Sequence, residues 1–188
     1  FDELHRGVFS LRIFYARRVR RIFPALVTVL IASLLAGWWL LLPAEMSRLG
    51  SQLAASAGFV ANFYFWFESG YFSPDARTLP LLHLWSLGVE EQFYIVFPLV
   101  LVALRRRPAL ALPAIIAIGA ASFLLNIALI ERQAADFYSP LTRAWELMVG
   151  AWVAWARRRQ HSPLAGGVAD LATLLGLAAI LAGIALLD

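Results

Sequence analysis

The sequence has no cysteine and few histidines. Among its 188 residues there is no Cys, and His5, His83 and His161 are the three His residues. The absence of Cys excludes disulfides, thiolate metal sites and a Cys nucleophile. The three His residues lie far apart without the spacing of metal ligands, so we expect no metal site. Residues 1–23 also lack the apolar run and the cleavage site of a signal peptide.

Charged residues are scarce and apolar residues are abundant. Only 15% of the residues are charged and 61% are hydrophobic, with a mean hydropathy of +0.73. Soluble domains have about 25% charged and about 45–50% apolar residues. The composition therefore predicts an integral membrane protein, with the lipid bilayer as a partner and no nucleic acid. The chain begins at Phe1 without Met and ends at Asp188 directly after an apolar run, and we expect it to be part of a longer membrane protein.

Five apolar segments predict membrane-crossing helices: residues 24–42, 84–104, 109–130, 141–156 and 168–187. Pro24 is expected in the first turn of the first helix, where proline is well tolerated. We expect residues 44–52 and 131–140 to be loops.

A sixth apolar segment, residues 53–72, contains Asn62, Glu68 and two glycines. Arginine clusters at 17–21, 105–107 and 157–159 would lie on different sides if every segment crossed the membrane, although basic residues favour the cytoplasmic side. All three clusters become cytoplasmic if this segment enters and leaves on the same side. We therefore predict an all-α polytopic membrane helix bundle of about five crossing helices plus one re-entrant or interfacial segment.

The stretch PLLHLWSLGVEEQFYIVFPL, residues 80–99, combines a membrane-length apolar helix with two adjacent carboxylates. Each such charge costs about 2.5–3.5 kcal/mol on insertion scales, which favours a functional or pairing role. His83 and Glu90 share a helical face, and Glu91 lies about 100° around the helix from Glu90. We favour Glu90 for chemistry and Glu91 for pairing with a neighbouring helix, and the reverse assignment stays open. Ser86, between His83 and Glu90, is a further catalytic candidate.

The basic stretch FYARRVRRIFPAL, residues 14–26, has two interpretations. It could anchor the chain to lipid headgroups and set its topology. Alternatively, Arg17, Arg18 and Arg21 could bind the phosphates of a polyanionic donor such as a nucleotide or coenzyme A, since arginine forks suit phosphate oxygens.

Three further polar or aromatic residues are candidates for supporting roles. Arg143 and Glu146 stand three residues apart, so they could face one partner or pair with each other. Trp85, at the start of the central helix, is expected to be an interfacial anchor.

The blocks FYARRVRRIFPAL, PLLHLWSLGVEEQFYIVFPL and DFYSPLTRAWELMVGAWVA, the last at 136–154, resemble in order and spacing those of the acyltransferase-3 family of integral membrane O-acyltransferases. The resemblance implies a domain of about ten helices, of which residues 1–188 would be one part, truncated at both ends. It implies transfer of an acyl group, usually acetyl from acetyl-coenzyme A, to a hydroxyl of a cell-surface carbohydrate or lipid-linked acceptor. No permanently bound cofactor is implied, only the acyl-CoA donor.

The resemblance also suggests the bacterial cytoplasmic (inner) membrane, with the arginine clusters cytoplasmic. The family's proposed catalytic histidine belongs to its first membrane helix, which would precede Phe1, so His83 is a different residue. The residues carried over are donor-binding Arg17, Arg18 and Arg21, then His83, Trp85, Ser86, Glu90 and Glu91, and finally Arg143 and Glu146. A membrane transporter is the alternative function, because intramembrane ionisable residues and a broken segment also suit transport. The lack of an internal repeat counts against it.

Overall fold

The computed structural model describes residues 9–69, 78–159 and 166–187. Within these residues there are eight α-helices and no strand: α1 Leu11–Leu40, α2 Pro43–Ala57, α3 Ala61–Glu68, α4 Leu84–Ala103, α5 Ala111–Ala128, α6 Gln133–Tyr138, α7 Pro140–Arg159 and α8 Gly166–Leu187. The chain divides into two compact units, Phe1–Trp152 and Val153–Asp188. The predicted all-α class is confirmed.

Four helical stretches in the described residues are long and apolar enough to cross a membrane: Leu11–Leu40, Leu84–Arg106, Ala111–Ala128 and Gly167–Ala185. The remaining predicted crossing segment lies in α7. That helix carries Arg143, Glu146 and a terminal arginine cluster, and these charges lower its hydropathy. The protein is an integral membrane protein built from α-helices.

Helix α1 begins thirteen residues before the predicted start, so the placement of Pro24 in a first turn is wrong. Ser10 caps the helix, its Oγ accepting a hydrogen bond from the Ile13 N–H at 3.5 Å. Pro24 lies inside the helix, where it removes one backbone donor. The Thr28 hydroxyl donates to the Pro24 carbonyl at 2.8 Å. Membrane helices tolerate an internal proline. The arginine block lies within the continuous helix α1.

The predicted loop 44–52 is also wrong, because these residues belong to α2. Pro43 lies in the first turn of α2, and the Glu45 side chain accepts a hydrogen bond from the Leu42 N–H at 2.9 Å. These are strong helix-start signals. Helix α2 runs back along α1, as shown by the buried contact between Leu49 and Gly37.

The apolar segment 53–72 is not one continuous helix in its described part. Helix α2 ends at Ala57 and α3 begins at Ala61, with Phe59 between them at a φ of 55°. Both Glu45, before the break, and Pro80, after α3, line one cavity. The chain before and after the described part of this segment thus lies at one end of the first unit. The re-entrant path itself stays a prediction.

Helix α4 runs antiparallel to α1. Leu84 lies in a buried cluster with Leu26, while the Tyr15 hydroxyl donates to the Ile95 carbonyl at 2.9 Å. This direction brings the end of α4, and Arg105–Arg107 after it, toward the end of α1 that carries Arg17 and Arg21. The first two arginine clusters therefore lie toward one end of the unit, as the topology argument requires.

Residues 131–140 are not a simple loop, because they contain the short helix α6. The Asn126 amide donates to the Asp136 carboxylate at 2.7 Å, and the buried Thr142 hydroxyl donates to the Asp136 carbonyl at 2.6 Å. These side-chain bonds connect α5, α6 and α7, and they hold the third sequence block in place.

Candidate functional site

Arg18 of α1 and Glu91 of α4 form an ion pair with a forked geometry. Arg18 Nε donates to both Glu91 oxygens at 3.0 Å, and Nη2 donates to Oε1 at 2.6 Å. The guanidinium carbon lies 3.2 Å from the centre of the Tyr94 ring. Both charged side chains are largely buried, at 18% and 10% exposure. Charge-assisted hydrogen bonds and a cation–π contact reinforce each other here.

The ion pair borders a cavity of about 210 Å³. Aromatic and aliphatic side chains from α1, from the break at Phe59 and from α4 complete its wall, including Tyr15, Phe23 and Ile95. A charged pair inside such an apolar wall is the arrangement expected for intramembrane ionisable residues. The pair joins the first sequence block to the second.

Glu90 lies in different surroundings from Glu91. The side chains of His83, Ser86 and Glu90 are all exposed, whereas Glu91 is buried. The Ser86 hydroxyl donates to the His83 backbone carbonyl at 3.2 Å. The structure thus separates the two carboxylates, as the helical geometry requires. His83, Ser86 and Glu90 do not line the cavity that the Arg18–Glu91 pair borders. Their catalytic roles stay predictions.

The other arginines of the first block are exposed on α1. Arg17 and Arg21 are four residues apart and share a helical face, whereas Arg18 directs its fork to Glu91. The donor-binding role of all three stays a prediction. The geometry makes Arg17 and Arg21 the members that face outward.

A hydrogen-bonded amide network lies beside the ion pair and was not identified from the sequence. Gln92 Nε2 donates to the Phe59 carbonyl at 2.8 Å and to Asn62 Oδ1 at 2.9 Å. Asn62, which is fully buried, donates through Nδ2 to the Tyr138 carbonyl at 3.1 Å. The sequence contains one indication of this network. Asn62 and Gln92 are amides within apolar segments, and a buried amide needs hydrogen-bond partners.

The third block packs onto the start of α4. The Trp85 ring lies 4.3 Å from the Phe137 ring, and the Arg143 guanidinium carbon lies 5.1 Å from the Phe137 centroid and 5.6 Å from that of Trp85. Trp85, expected to be an interfacial anchor, therefore connects two blocks. Arg143 also pairs with Glu146 at 2.7 Å, the simpler of the two predicted arrangements.

Tyr138 belongs to the same aromatic group, with its ring 5.6 Å from that of Trp85. Burial raises the pKa of the Tyr138 phenol above its ordinary value, which further favours the protonated hydroxyl. It can serve as a hydrogen-bond donor in this neighbourhood.

The fold and these contacts define the class of protein: an α-helical integral membrane protein whose three polar blocks meet around one central helix, α4. A family model described as "Acyltransferase domain" matches residues 5–188. The chain belongs to this family, the acyltransferase-3 family, and the resemblance seen in the sequence is confirmed.

Several curated proteins are similar to parts of the chain. An uncharacterized protein of Haemophilus influenzae is 37% identical over 100 residues, covering 53% of this chain and 41% of that protein. A Staphylococcus aureus protein named "Putative O-acetyltransferase SACOL0978" is 35% identical over 98 residues, covering 52% of this chain and 16% of that protein.

A Bacillus subtilis protein named "Putative peptidoglycan O-acetyltransferase YrhL" is 29% identical over 163 residues, covering 80% of this chain and 25% of that protein. The chain thus spans less than half the length of each of these relatives. No solved structure gives a significant match.

Proposed function

We propose that the protein is a membrane O-acyltransferase that moves an acetyl group from acetyl-coenzyme A to a hydroxyl of a cell-surface carbohydrate. The observation that carries the proposal is the meeting of the three family blocks around α4, through the Arg18–Glu91 pair on one side and the Trp85–Phe137 contact on the other. The family membership supports acyl transfer. The names of the relatives support acetyl as the group and an O-linked product.

The donor is proposed to bind at the arginine end of the first unit. Arg17 and Arg21 are exposed on one face of α1, and arginine forks bind phosphate oxygens through paired charge-assisted bonds. Coenzyme A carries several phosphate groups that such a surface can bind. Moving a polyanion such as acetyl-CoA across the hydrocarbon core is costly, so the donor should bind on the side of the membrane that supplies it. We therefore propose that this end faces the cytoplasm at a bacterial inner membrane.

The reaction itself requires proton transfer from the acceptor. The acceptor hydroxyl oxygen forms a bond to the acyl carbon, the carbon–sulfur bond of the thioester breaks, and the hydroxyl proton ends on the coenzyme A thiol. Glu90 and His83 are proposed to handle this proton, because carboxylates and imidazoles are effective general acids and bases. Ser86 is proposed to help orient the acceptor, and Glu91 to position Arg18.

The experiment is an assay of the full-length protein in proteoliposomes. Acetyl-CoA carrying a labelled acetyl group is supplied on one side and carbohydrate acceptors on the other, and both labelled product and free coenzyme A are measured. We expect the two to appear in equal amounts. Uptake of labelled solute without thioester cleavage would instead indicate the transporter function.

A further inference from the structure

A second cavity, with more polar side chains in its wall, lies at the end of the first unit away from Arg17, Arg18 and Arg21 of α1. Its volume is about 350 Å³, within the range of about 300–1,000 Å³ typical of small-molecule sites. Four polar side chains line it, three from α2 and one from the chain before α4: Glu45, Arg48, Gln52 and Thr78.

The length of α1 indicates where this cavity lies along the membrane normal. The cavity reaches Leu41, directly after the last residue of α1. Leu40 is 22 residues after Arg18, roughly 33 Å along the helix at 1.5 Å per residue, which is close to the roughly 30 Å of a bilayer core. Trp38 and Trp39, at the same end, are 76% and 86% exposed, as is typical of an interfacial aromatic belt. The cavity therefore lies at the membrane face opposite Arg17, Arg18 and Arg21.

Two of the polar side chains are held in place by backbone groups. Glu45 Oε2 accepts a hydrogen bond from the Leu42 N–H at 2.9 Å. Gln52 is only 1% exposed, and its Oε1 accepts from the Leu81 N–H at 3.3 Å. Their geometry is thus established before a ligand arrives, which lowers the entropy cost of binding.

The donors and acceptors in the wall suit a polyhydroxylated ligand. A carboxylate accepts several hydrogen bonds, a guanidinium and an amide nitrogen donate them, and a sugar hydroxyl does both. Glu45 and Arg48 carry opposite charges, so these lining charges sum to zero. A polyanion such as coenzyme A has little net electrostatic attraction to this cavity, and the arginines of α1 attract it more strongly.

We propose that this cavity is the acceptor subsite, and that it binds the hydroxyl groups of an uncharged carbohydrate at the outer membrane face. The inference rests on the proposed acyl transfer for its biological meaning. Pro80 lines the cavity three residues before His83, so the cavity adjoins the turn that leads into α4. The subsite thus separates acceptor recognition from donor recognition along the membrane normal.

The test measures carbohydrate binding directly, without catalysis. The full-length protein in nanodiscs is titrated with chitotetraose, an uncharged oligosaccharide, and binding is followed by calorimetry. We expect Arg48→Gln and Glu45→Gln each to weaken binding at least tenfold. Glu45→Gln keeps an oxygen for the Leu42 N–H, so the start of α2 is preserved. The matched control, Arg12→Gln, removes an exposed arginine at the other end of α1 and should leave binding unchanged.

Acetyl transfer by the same variants separates this inference from the proposed function. We expect Arg48→Gln to raise KM for the acceptor and to leave KM for acetyl-CoA unchanged. Absence of chitotetraose binding by the unaltered protein, or equal binding by Arg48→Gln, would overturn the subsite even if acyl transfer is observed. Binding that depends on Arg48 in a protein without acyl transfer would support the subsite and count against the proposed function.

Discussion

Glu90 and Glu91 are neighbours in the chain, but the fold gives them different surroundings. Glu91 is buried and holds the guanidinium of Arg18, whereas Glu90 is exposed on the face that carries His83. An unpaired charge left in such a site is far more costly than the intact pair is stabilising. The two carboxylates should therefore respond differently to the same substitution.

We predict that Glu91→Gln destabilises the protein and that Glu90→Gln impairs acyl transfer at normal stability. Removing one partner of a buried ion pair costs about 3–5 kcal/mol, so Glu91→Gln should lower the thermal unfolding midpoint and the expression level. Unfolding of the detergent-purified protein and acetyl transfer are measured together.

The double variant Arg18→Gln/Glu91→Gln serves as the control for this prediction, because it removes both charges. It should recover part of the stability lost in Glu91→Gln. Full acyl transfer by Glu90→Gln at normal expression would show that the assignment of chemistry to Glu90 is wrong.

The basic residues of the chain are all arginine, sixteen in number. We predict that Arg17→Lys/Arg21→Lys keeps membrane insertion and topology, because the positive charges remain. The KM for acetyl-CoA should rise about tenfold, which corresponds to about 1.4 kcal/mol, because lysine cannot make the paired bonds of the guanidinium fork.

Arg12→Lys, on the same helix, is the matched control and should leave both KM values unchanged. If the double variant also kept its KM for acetyl-CoA, the arginine block would serve only as a topology and lipid anchor.

At the scale of elements, the packing of α4 depends on close approach to the break between α2 and α3. A Cβ added to Gly88 would lie 3.0 Å from Asn62 Oδ1 and 3.2 Å from the Phe59 carbonyl oxygen. These are two members of the amide network that Gln92 completes. Gly88 therefore lets the helix carrying the second block approach the broken segment.

We predict that Gly88→Ala lowers the free energy of unfolding by about 1–3 kcal/mol, the usual cost of overpacking. Gly50→Ala is the matched control, because no atom lies within 4 Å of its added Cβ. It should be neutral or stabilising by up to about 1 kcal/mol, since alanine favours a helix over glycine.

Both variants are compared by denaturant unfolding in one detergent. A Gly88→Ala protein as stable as Gly50→Ala would mean that the close contact relaxes without consequence.

At the scale of the whole molecule, the directions of the helices determine which loops share a membrane side. Helices α1 and α4 are antiparallel, and the segment between them returns to the cavity near the end of α1. Arg12 and Arg107 thereby lie toward one end of the first unit. Ser47 lies toward the other end, early in α2.

We predict that single cysteines at Arg12 and Arg107 react with impermeant reagents from the cytoplasmic side. Cysteines at Ser47, and at Ser73, which lies outside the described residues, should react from the outer side. Residues 1–188 contain no cysteine, so each introduced cysteine is the one labelling site within this chain. Labelling of Ser47 and Ser73 from opposite sides would contradict the re-entrant segment. A neutral position in the middle of α5, such as Ala121, provides a control that should stay unlabelled from either side.

Composition, apolar length and local motifs were enough to predict the membrane class, the helical fold, the family and the residues of the three blocks. The separation of Glu90 from Glu91 was also predictable, because helical periodicity sets the angle between adjacent side chains. The prediction placed the start of α1 too late and treated residues 44–52 of α2, and α6, as loops. Polar residues in these stretches were read as loop signals, although Pro43 and Glu45 are helix-start signals of α2.

The partners of these residues follow from the three-dimensional packing of the helices and not from local patterns. The choice of Glu91 as the partner of Arg18, the Asn62–Gln92 network and the cavity around Gln52 join residues 29 to 73 positions apart. Such pairings depend on the relative direction and offset of helices. Those are set by side-chain packing across the bundle, which no local pattern in the chain encodes.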